Sequence, residues 1–205
     1  MRPTYNRKTS PKVIGGHVQR KNNHVKTARL GYVVDRLSPD KGYSHVVSKK
    51  DIHEFTDLIS DWPRVSNGLE SIILDSGDYD YDGLYSHYRQ DDTGTIWLSA
   101  WQLDLWVEFS DEYFQEHQWL FKILGVVFDR KIDPEDNGIF WFCYFTEAQA
   151  KAFMLMHIFL HELGHHVDKF RSKKNSSGEV FAENYANRRF YELWPAYINH
   201  FGNLF

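Results

Sequence analysis

Cysteine is nearly absent from this chain of 205 residues, which contains only Cys143. A single thiol cannot form a disulfide within the chain. Cys143 lies in the aromatic run Phe140–Phe145, with no neighbouring base to activate it. A small buried hydrophobic role is therefore the favoured interpretation, and the shortage of cysteine fits a reducing compartment.

Long apolar runs are also missing, although 42% of the residues are hydrophobic. No stretch approaches the roughly 20 apolar residues that a membrane-spanning helix needs. The basic N-terminus is not followed by the apolar run of a secretory signal. The sequence therefore predicts a cytoplasmic protein without a membrane span, long enough for one domain with a hydrophobic core.

Acidic residues are missing from residues 1–34, which carry eight Lys or Arg. The rest of the chain has 16 basic and 28 acidic residues, so the net charge of −4 hides an uneven distribution. Residues 1–28 are predicted to form a basic, disordered arm, and residues 29–205 a single domain. Such an arm either stays solvated or makes weak contacts with nucleic acid or another anionic surface.

Apolar spacing and capping patterns predict the secondary structure of the rest. Helices are expected over residues 48–60, 110–124 and 147–170 and after Ser176, and strands over residues 69–74 and 95–99. Thr146 and Gln149 match a capping box before the long helix, and Ser176 with Glu179 repeats that pattern before the last helix. Pro195 is expected to end the last helix.

The long helix carries the motif H-E-x-x-H at residues 161–165. His161 and His165 are four residues apart and share a helix face, so their imidazoles can converge on one metal ion. Neutral imidazole suits zinc, and a catalytic zinc takes three protein ligands and leaves a fourth position for water. Glu162 points away from the metal and towards that water, where a carboxylate can act as general base.

Gly164 is unusual inside this helix, because a helical glycine costs about 0.5–1 kcal/mol relative to alanine. Close approach of another backbone or of substrate would explain its presence.

The helix that follows resembles a known family. It reads E-V-F-A-E-N-Y-A-N over residues 179–187. H-E-x-x-H followed by this pattern resembles the glutamate-zincins, in particular the anthrax lethal factor peptidase domain and the phage-repressor-cleaving peptidases. The resemblance covers about residues 146–194. It implies a zinc metallopeptidase with an α+β, zincin-like fold, in which a small twisted mixed sheet packs on the long helix.

The same resemblance implies roles for individual residues of the last helix. Glu179 corresponds to the third zinc ligand, and Ala182 and Ala186 to the face that packs on the long helix. Glu183 would orient a ligand histidine without touching the metal. A shorter version of the pattern makes Glu183 the ligand instead, and its separation from His165, eighteen residues rather than fourteen, is nearer that of thermolysin-like enzymes.

Two further assignments stay open at this point. Asp168 lies seven residues after His161 and either holds a histidine ring in place or ends the helix in solvent. The strand over residues 95–99 is expected at the sheet edge beside the long helix, where zincins pair with peptide substrates; a central strand is the alternative. Substrate-binding residues are not identified.

The expected function is hydrolysis of peptide bonds by zinc-activated water, with Glu162 as general base and a peptide or protein as substrate. One alternative is hydrolysis of a non-peptide amide. Another is a zinc-binding regulatory or nucleic-acid-associated module without turnover. Glu162 argues against the module, because a structural zinc needs no base and usually has four protein ligands.

Overall fold

A computed structural model describes residues 31–77, 81–133, 138–171, 178–202 and 204, together with the backbone of residues 13–14 and 17–18. The helices are α1 (Lys49–Leu58), α2 (Trp62–Val65), α3 (Asp111–Leu124), α4 (Glu147–Phe153), α5 (Phe159–Arg171) and α6 (Glu179–Phe201), and a π-helical turn (Met154–Ile158) joins α4 to α5. The strands are β1 (Val13–Ile14), β2 (His17–Val18), β3 (Val33–Arg36), β4 (Tyr43–Ser44), β5 (Leu69–Leu74), β6 (Gly83–Tyr88), β7 (Thr93–Leu98), β8 (Trp101–Gln102), β9 (Trp106–Ser110), β10 (Val127–Ile132) and β11 (Ile139–Tyr144).

The architecture is α+β, as predicted. A four-stranded sheet has the order β3-β5-β7-β6, in which β5 runs parallel to β3 and β7 while β6 is antiparallel to β7. A three-stranded antiparallel sheet has the order β10-β11-β9. Short antiparallel pairs join β4 to β8 and β1 to β2. The predicted arm, residues 1–28, otherwise lies outside the described residues.

The strand predicted over residues 95–99 is present as β7, but its expected place at the sheet edge is wrong. β7 pairs with β5 on one side and β6 on the other, and Ile96 and Leu98 on it are fully buried. Within the described chain, β6 is the edge strand beside β7. All residues of β6 are exposed or partly exposed. This suits an edge strand, which has a hydrogen-bonded neighbouring strand on one side only.

The long helix begins where the sequence predicts, at a capping box. The Thr146 hydroxyl accepts from the Gln149 N–H, and the Gln149 side chain accepts from the Thr146 N–H. The helix is not uniform, because the Phe159 N–H donates to the Met154 carbonyl, five residues back. Such π turns are frequent at functional sites, and this one lies directly before the H-E-x-x-H residues.

The last helix continues beyond its predicted end. At its start Gly178 is the N-cap and has no side chain that could cap the helix; the predicted N-cap, Ser176, lies outside the described residues. The Asp168 carboxylate accepts from the Gly178 N–H at 3.1 Å and ties the end of α5 to the start of α6. Pro195 lies inside α6, which continues because residues beyond it, such as Tyr197, are buried in the core.

α4, the π turn and α5 pass through the centre of the core. Their apolar residues from Ala150 to Leu163 are almost all fully buried, and α5 packs against α6, β6 and β7. None of the helices in the described ranges is long and apolar enough to cross a bilayer.

Gly164 allows α5 and α6 to approach closely. A Cβ on Gly164 would lie 2.7 Å from the Ala182 Cα and 3.0 Å from the Ala182 carbonyl oxygen. Ala182 and Ala186 are both fully buried. The expected close approach of another backbone is therefore confirmed, and it sets the distance between the two helices that carry the candidate site.

Gly164→Ala should destabilise the protein, although alanine is the better helix former. The new methyl group meets backbone atoms that cannot rotate away, and overpacking of this kind costs about 1–3 kcal/mol. The free energy of unfolding from urea titration measures the effect. Asn184→Ala on the exposed face of α6 is the control, expected to change stability by no more than about 0.5 kcal/mol. An unchanged or higher stability for Gly164→Ala would contradict the close packing.

Candidate metal centre

α5 and α6 bring three potential metal ligands together, His161, His165 and Glu179. The two histidine Nε2 atoms are 3.1 Å apart, and Glu179 Oε2 lies 3.1 Å from His161 Nε2 and 3.4 Å from His165 Nε2. A tetrahedral zinc with bonds of about 2.0–2.1 Å places neighbouring ligand atoms about 3.3 Å apart. Both the donor types and their spacing therefore fit a zinc ion.

Glu183 fixes the orientation of His161 from the other side of its ring. The Glu183 Oε2 atom lies 3.2 Å from His161 Nδ1. A carboxylate only accepts, so this contact places the proton on Nδ1 and leaves the Nε2 lone pair directed at the cluster. His161 Nε2 then faces a second ring nitrogen and a carboxylate oxygen, an arrangement that a cation or extra protons must stabilise.

The histidine pKa values reflect this crowding. Burial would lower the pKa of His161, but the hydrogen bond to Glu183 and the charges of Glu162 and Glu179 outweigh it, so the pKa is raised. Burial and the neighbouring His161 lower the pKa of His165. Without a cation, a proton therefore binds more readily to His161 than to His165, and a zinc ion would replace that proton.

Zinc affinity is consequently expected to increase with pH. Below its raised pKa, His161 is protonated and must release a proton before it can bind, so affinity rises by about tenfold per pH unit there and levels off above that pKa. Competition with a chelator between pH 5 and pH 8, corrected for the chelator's own protonation, measures this dependence. A corrected affinity that does not change with pH would exclude His161 as a ligand.

Glu162 lies beside the cluster in an unusual environment for a carboxylate. Its residue is only 7% exposed, and burial raises its pKa to about 7. The Tyr85 backbone N–H on β6 donates to the carboxylate. Gly83 on the same strand leaves room for it, because a Cβ at Gly83 would lie 3.0 Å from the Glu162 Cγ and Oε1 atoms.

The remaining residues singled out in the sequence lie close by. Glu183 contacts His161 Nδ1 and does not belong to the group formed by His161, His165 and Glu179. Asp168 is buried and accepts a hydrogen bond from the Gly178 backbone. Burial and His161 lower the pKa of His165, the charge of Asp168 only partly opposes this, and no hydrogen bond joins the described side chains of Asp168 and His165.

Glu183 also contacts two residues that were not predicted from the sequence. Asn187 Nδ2 donates to Glu183 Oε1 at 2.9 Å, and His117 Nε2 lies 3.3 Å from the same oxygen. His117 shares the buried face of α3 with Phe114 and Phe121. His117 lies three residues after Phe114 and four before Phe121, the spacing of one helix face. This pattern was the signal in the sequence for a buried histidine, and a buried imidazole needs a polar partner.

Comparison of the chain with protein-family models, with curated proteins and with solved structures finds no match in any of the three. The function must therefore be inferred from the chemistry of the cluster: two imidazoles and a carboxylate converging beside a buried carboxylate.

Proposed function

We propose that this protein is a zinc-dependent metallopeptidase of the glutamate-zincin type. His161, His165 and Glu179 are its zinc ligands, and Glu162 is its general base. The convergence of two Nε2 atoms and one carboxylate oxygen within 3.1–3.4 Å, on two helices locked by Gly164, is the observation that supports this proposal.

The ligand set favours a catalytic over a structural role for the metal. Three protein ligands leave one tetrahedral position free, whereas structural zinc sites usually fill all four with protein. Glu179 is the exposed member, with 81% of its side chain accessible, so the cluster opens to solvent on that side. A substrate can therefore reach it.

When bound, zinc would act as a Lewis acid that polarises a carbonyl and lowers the pKa of water. Glu162 supplies the proton transfers. Burial raises the pKa of Glu162 to about 7 in the metal-free site, and a bound zinc ion would lower it, so the carboxylate would be ionised and able to accept a proton at neutral pH. Its carboxylate would take a proton from the attacking water and pass it to the leaving amine.

The neighbouring sheet edge favours an extended peptide as substrate. β6 pairs with β7 through one edge, and among the described strands nothing pairs with its other edge. The strand also contacts the catalytic carboxylate through Gly83 and Tyr85. A peptide added to β6 would gain main-chain hydrogen bonds next to Glu162.

The test is hydrolysis of a peptide library, followed by mass spectrometry, for the zinc-loaded protein and its Glu162→Gln variant. The zinc-loaded protein should cleave peptides, and the variant should bind zinc equally well but lose about 10²–10⁴-fold in rate. His200→Gln, which changes an exposed histidine beside Glu54 in the last turn of α6, away from the cluster and from β6, is the matched control and should remain active. Equal rates for Glu162→Gln and the unchanged protein, or no cleavage by protein with zinc bound, would refute the peptidase.

A further inference from the structure

A second group of ligand-type side chains lies behind Glu183. His117 on α3, His157 in the π turn and Glu183 on α6 each offer one ligand atom, and these three atoms lie within 4.8 Å of one another. Both histidines are 3% exposed, so the group is inside the protein. The proposed catalytic reaction does not use either histidine.

The ring of His117 is held in the form that binds metals. Its Nδ1 atom lies 2.8 Å from the Tyr113 carbonyl oxygen, which only accepts, so Nδ1 carries the proton. The Nε2 atom of a neutral ring then has a lone pair. Histidines that ligate metals usually donate their other N–H to a carbonyl or carboxylate in this way.

The Nε2 atom of His117 has no hydrogen bond, although it is fully buried. It lies 3.3 Å from Glu183 Oε1, but the alignment is not that of a hydrogen bond. If Nε2 carries no proton, its lone pair faces the Glu183 Oε1 atom, and these two electron-rich atoms repel each other. Something positive between them, a proton or a metal ion, must account for this contact.

His157 completes the group from a third element. Its ring centre is 4.7 Å from that of His117, and the Tyr113 hydroxyl lies 3.3 Å from its Nε2 atom. Full burial disfavours the charged form of the ring, and the neutral form is the one that coordinates metals. The π turn therefore places a neutral imidazole beside the unpaired nitrogen of His117.

We propose that His117, His157 and Glu183 bind a second divalent cation. Two imidazoles and one carboxylate form a set that suits Zn²⁺. The three ligand atoms lie within 4.8 Å of one another, and the ligand atoms of a tetrahedral zinc are roughly 3.3 Å apart, so no pair has to close by more than about 1.5 Å on binding. Glu183 would then hold the second cation with Oε1 and orient His161 with Oε2.

Zinc content per folded chain tests this site independently of the peptidase proposal. The protein is loaded with zinc, dialysed and measured by elemental analysis and native mass spectrometry. We expect two zinc ions for the unchanged protein and for the control His200→Gln, which changes a histidine outside both ligand groups. One ion is expected for His117→Gln and one for His157→Gln. One is also expected for the double variant His161→Gln/His165→Gln, which keeps the second site.

The outcomes separate the two proposals. A single zinc in the unchanged protein that His117→Gln retains would overturn the second site, and would mean that a proton on His117 makes the contact with Glu183. A single zinc that survives His161→Gln/His165→Gln but is lost in His117→Gln would support the second site and refute the catalytic one. The count for the unchanged protein needs no variant, so misfolding of a variant does not remove the test.

Discussion

Glu179→Ala is expected to abolish zinc binding at His161 and His165, whereas Glu183→Gln should weaken it by about 10–100-fold. The structure places a Glu179 oxygen within 3.4 Å of both Nε2 atoms, and Glu183 on the far nitrogen of His161. The Glu179 side chain is 81% exposed, so its replacement should remove a ligand without disturbing the core.

Chelator competition measures both zinc affinities, in a His117→Gln background so that only one zinc site is present. Glu179→Gln serves as the size-matched variant and should lose zinc almost as completely as Glu179→Ala, because an amide oxygen is a much poorer zinc ligand. The reverse order, with Glu183→Gln losing all zinc and Glu179→Ala keeping most of it, would make Glu183 the ligand.

Glu162→Gln should stabilise the metal-free protein at pH 8, even though it removes the proposed catalytic base. Burial raises the pKa of Glu162 to about 7 in the folded protein, against a usual value of 4.5. The neutral carboxyl therefore contributes stability that is fully present below about pH 4.5 and is lost as the pH rises through about 7. Glutamine stays neutral throughout, so the advantage of the variant should grow over this range towards about 3 kcal/mol.

Urea unfolding in the presence of EDTA, at pH 5 and at pH 8, measures this difference. The control is Glu116→Gln on the exposed face of α3, a surface substitution that should change stability by no more than about 0.5 kcal/mol. An advantage of Glu162→Gln that is no larger at pH 8 than at pH 5 would show that burial does not raise the pKa of this carboxyl. If Glu162→Gln is more stable at pH 8 by the expected amount, the ionised Glu162 carboxylate of the unchanged protein is buried at a cost in stability.

Local signals in the sequence predicted the helices best. Ser48 with Asp51 and Thr146 with Gln149 cap α1 and α4 through contacts within four residues, so the boundary depends on neighbours in the chain. The start of α6 depends instead on a residue of the preceding helix. Its first N–H groups follow Gly178, which is held by Asp168 from the preceding helix rather than by a nearby side chain.

The sheet and the interior of the site depend on distant partners and could not be derived in the same way. The sequence predicts a strand over residues 95–99, but only its pairing with both β5 and β6 shows that it is central and not at the edge. The raised pKa of Glu162 depends on β6 lying against α5. His117 and Glu183 are brought together by the packing of α3 and α6, which no periodicity reveals.

The most direct test of the catalytic centre is anomalous diffraction at the zinc edge from crystals of the zinc-loaded protein. The proposed site predicts a peak about 2.0–2.2 Å from His161 Nε2, His165 Nε2 and a Glu179 carboxylate oxygen, with Glu183 still on His161 Nδ1. A zinc ion bound by Glu183 in place of Glu179, or the absence of zinc from these histidines in crystals grown at saturating zinc, would contradict it.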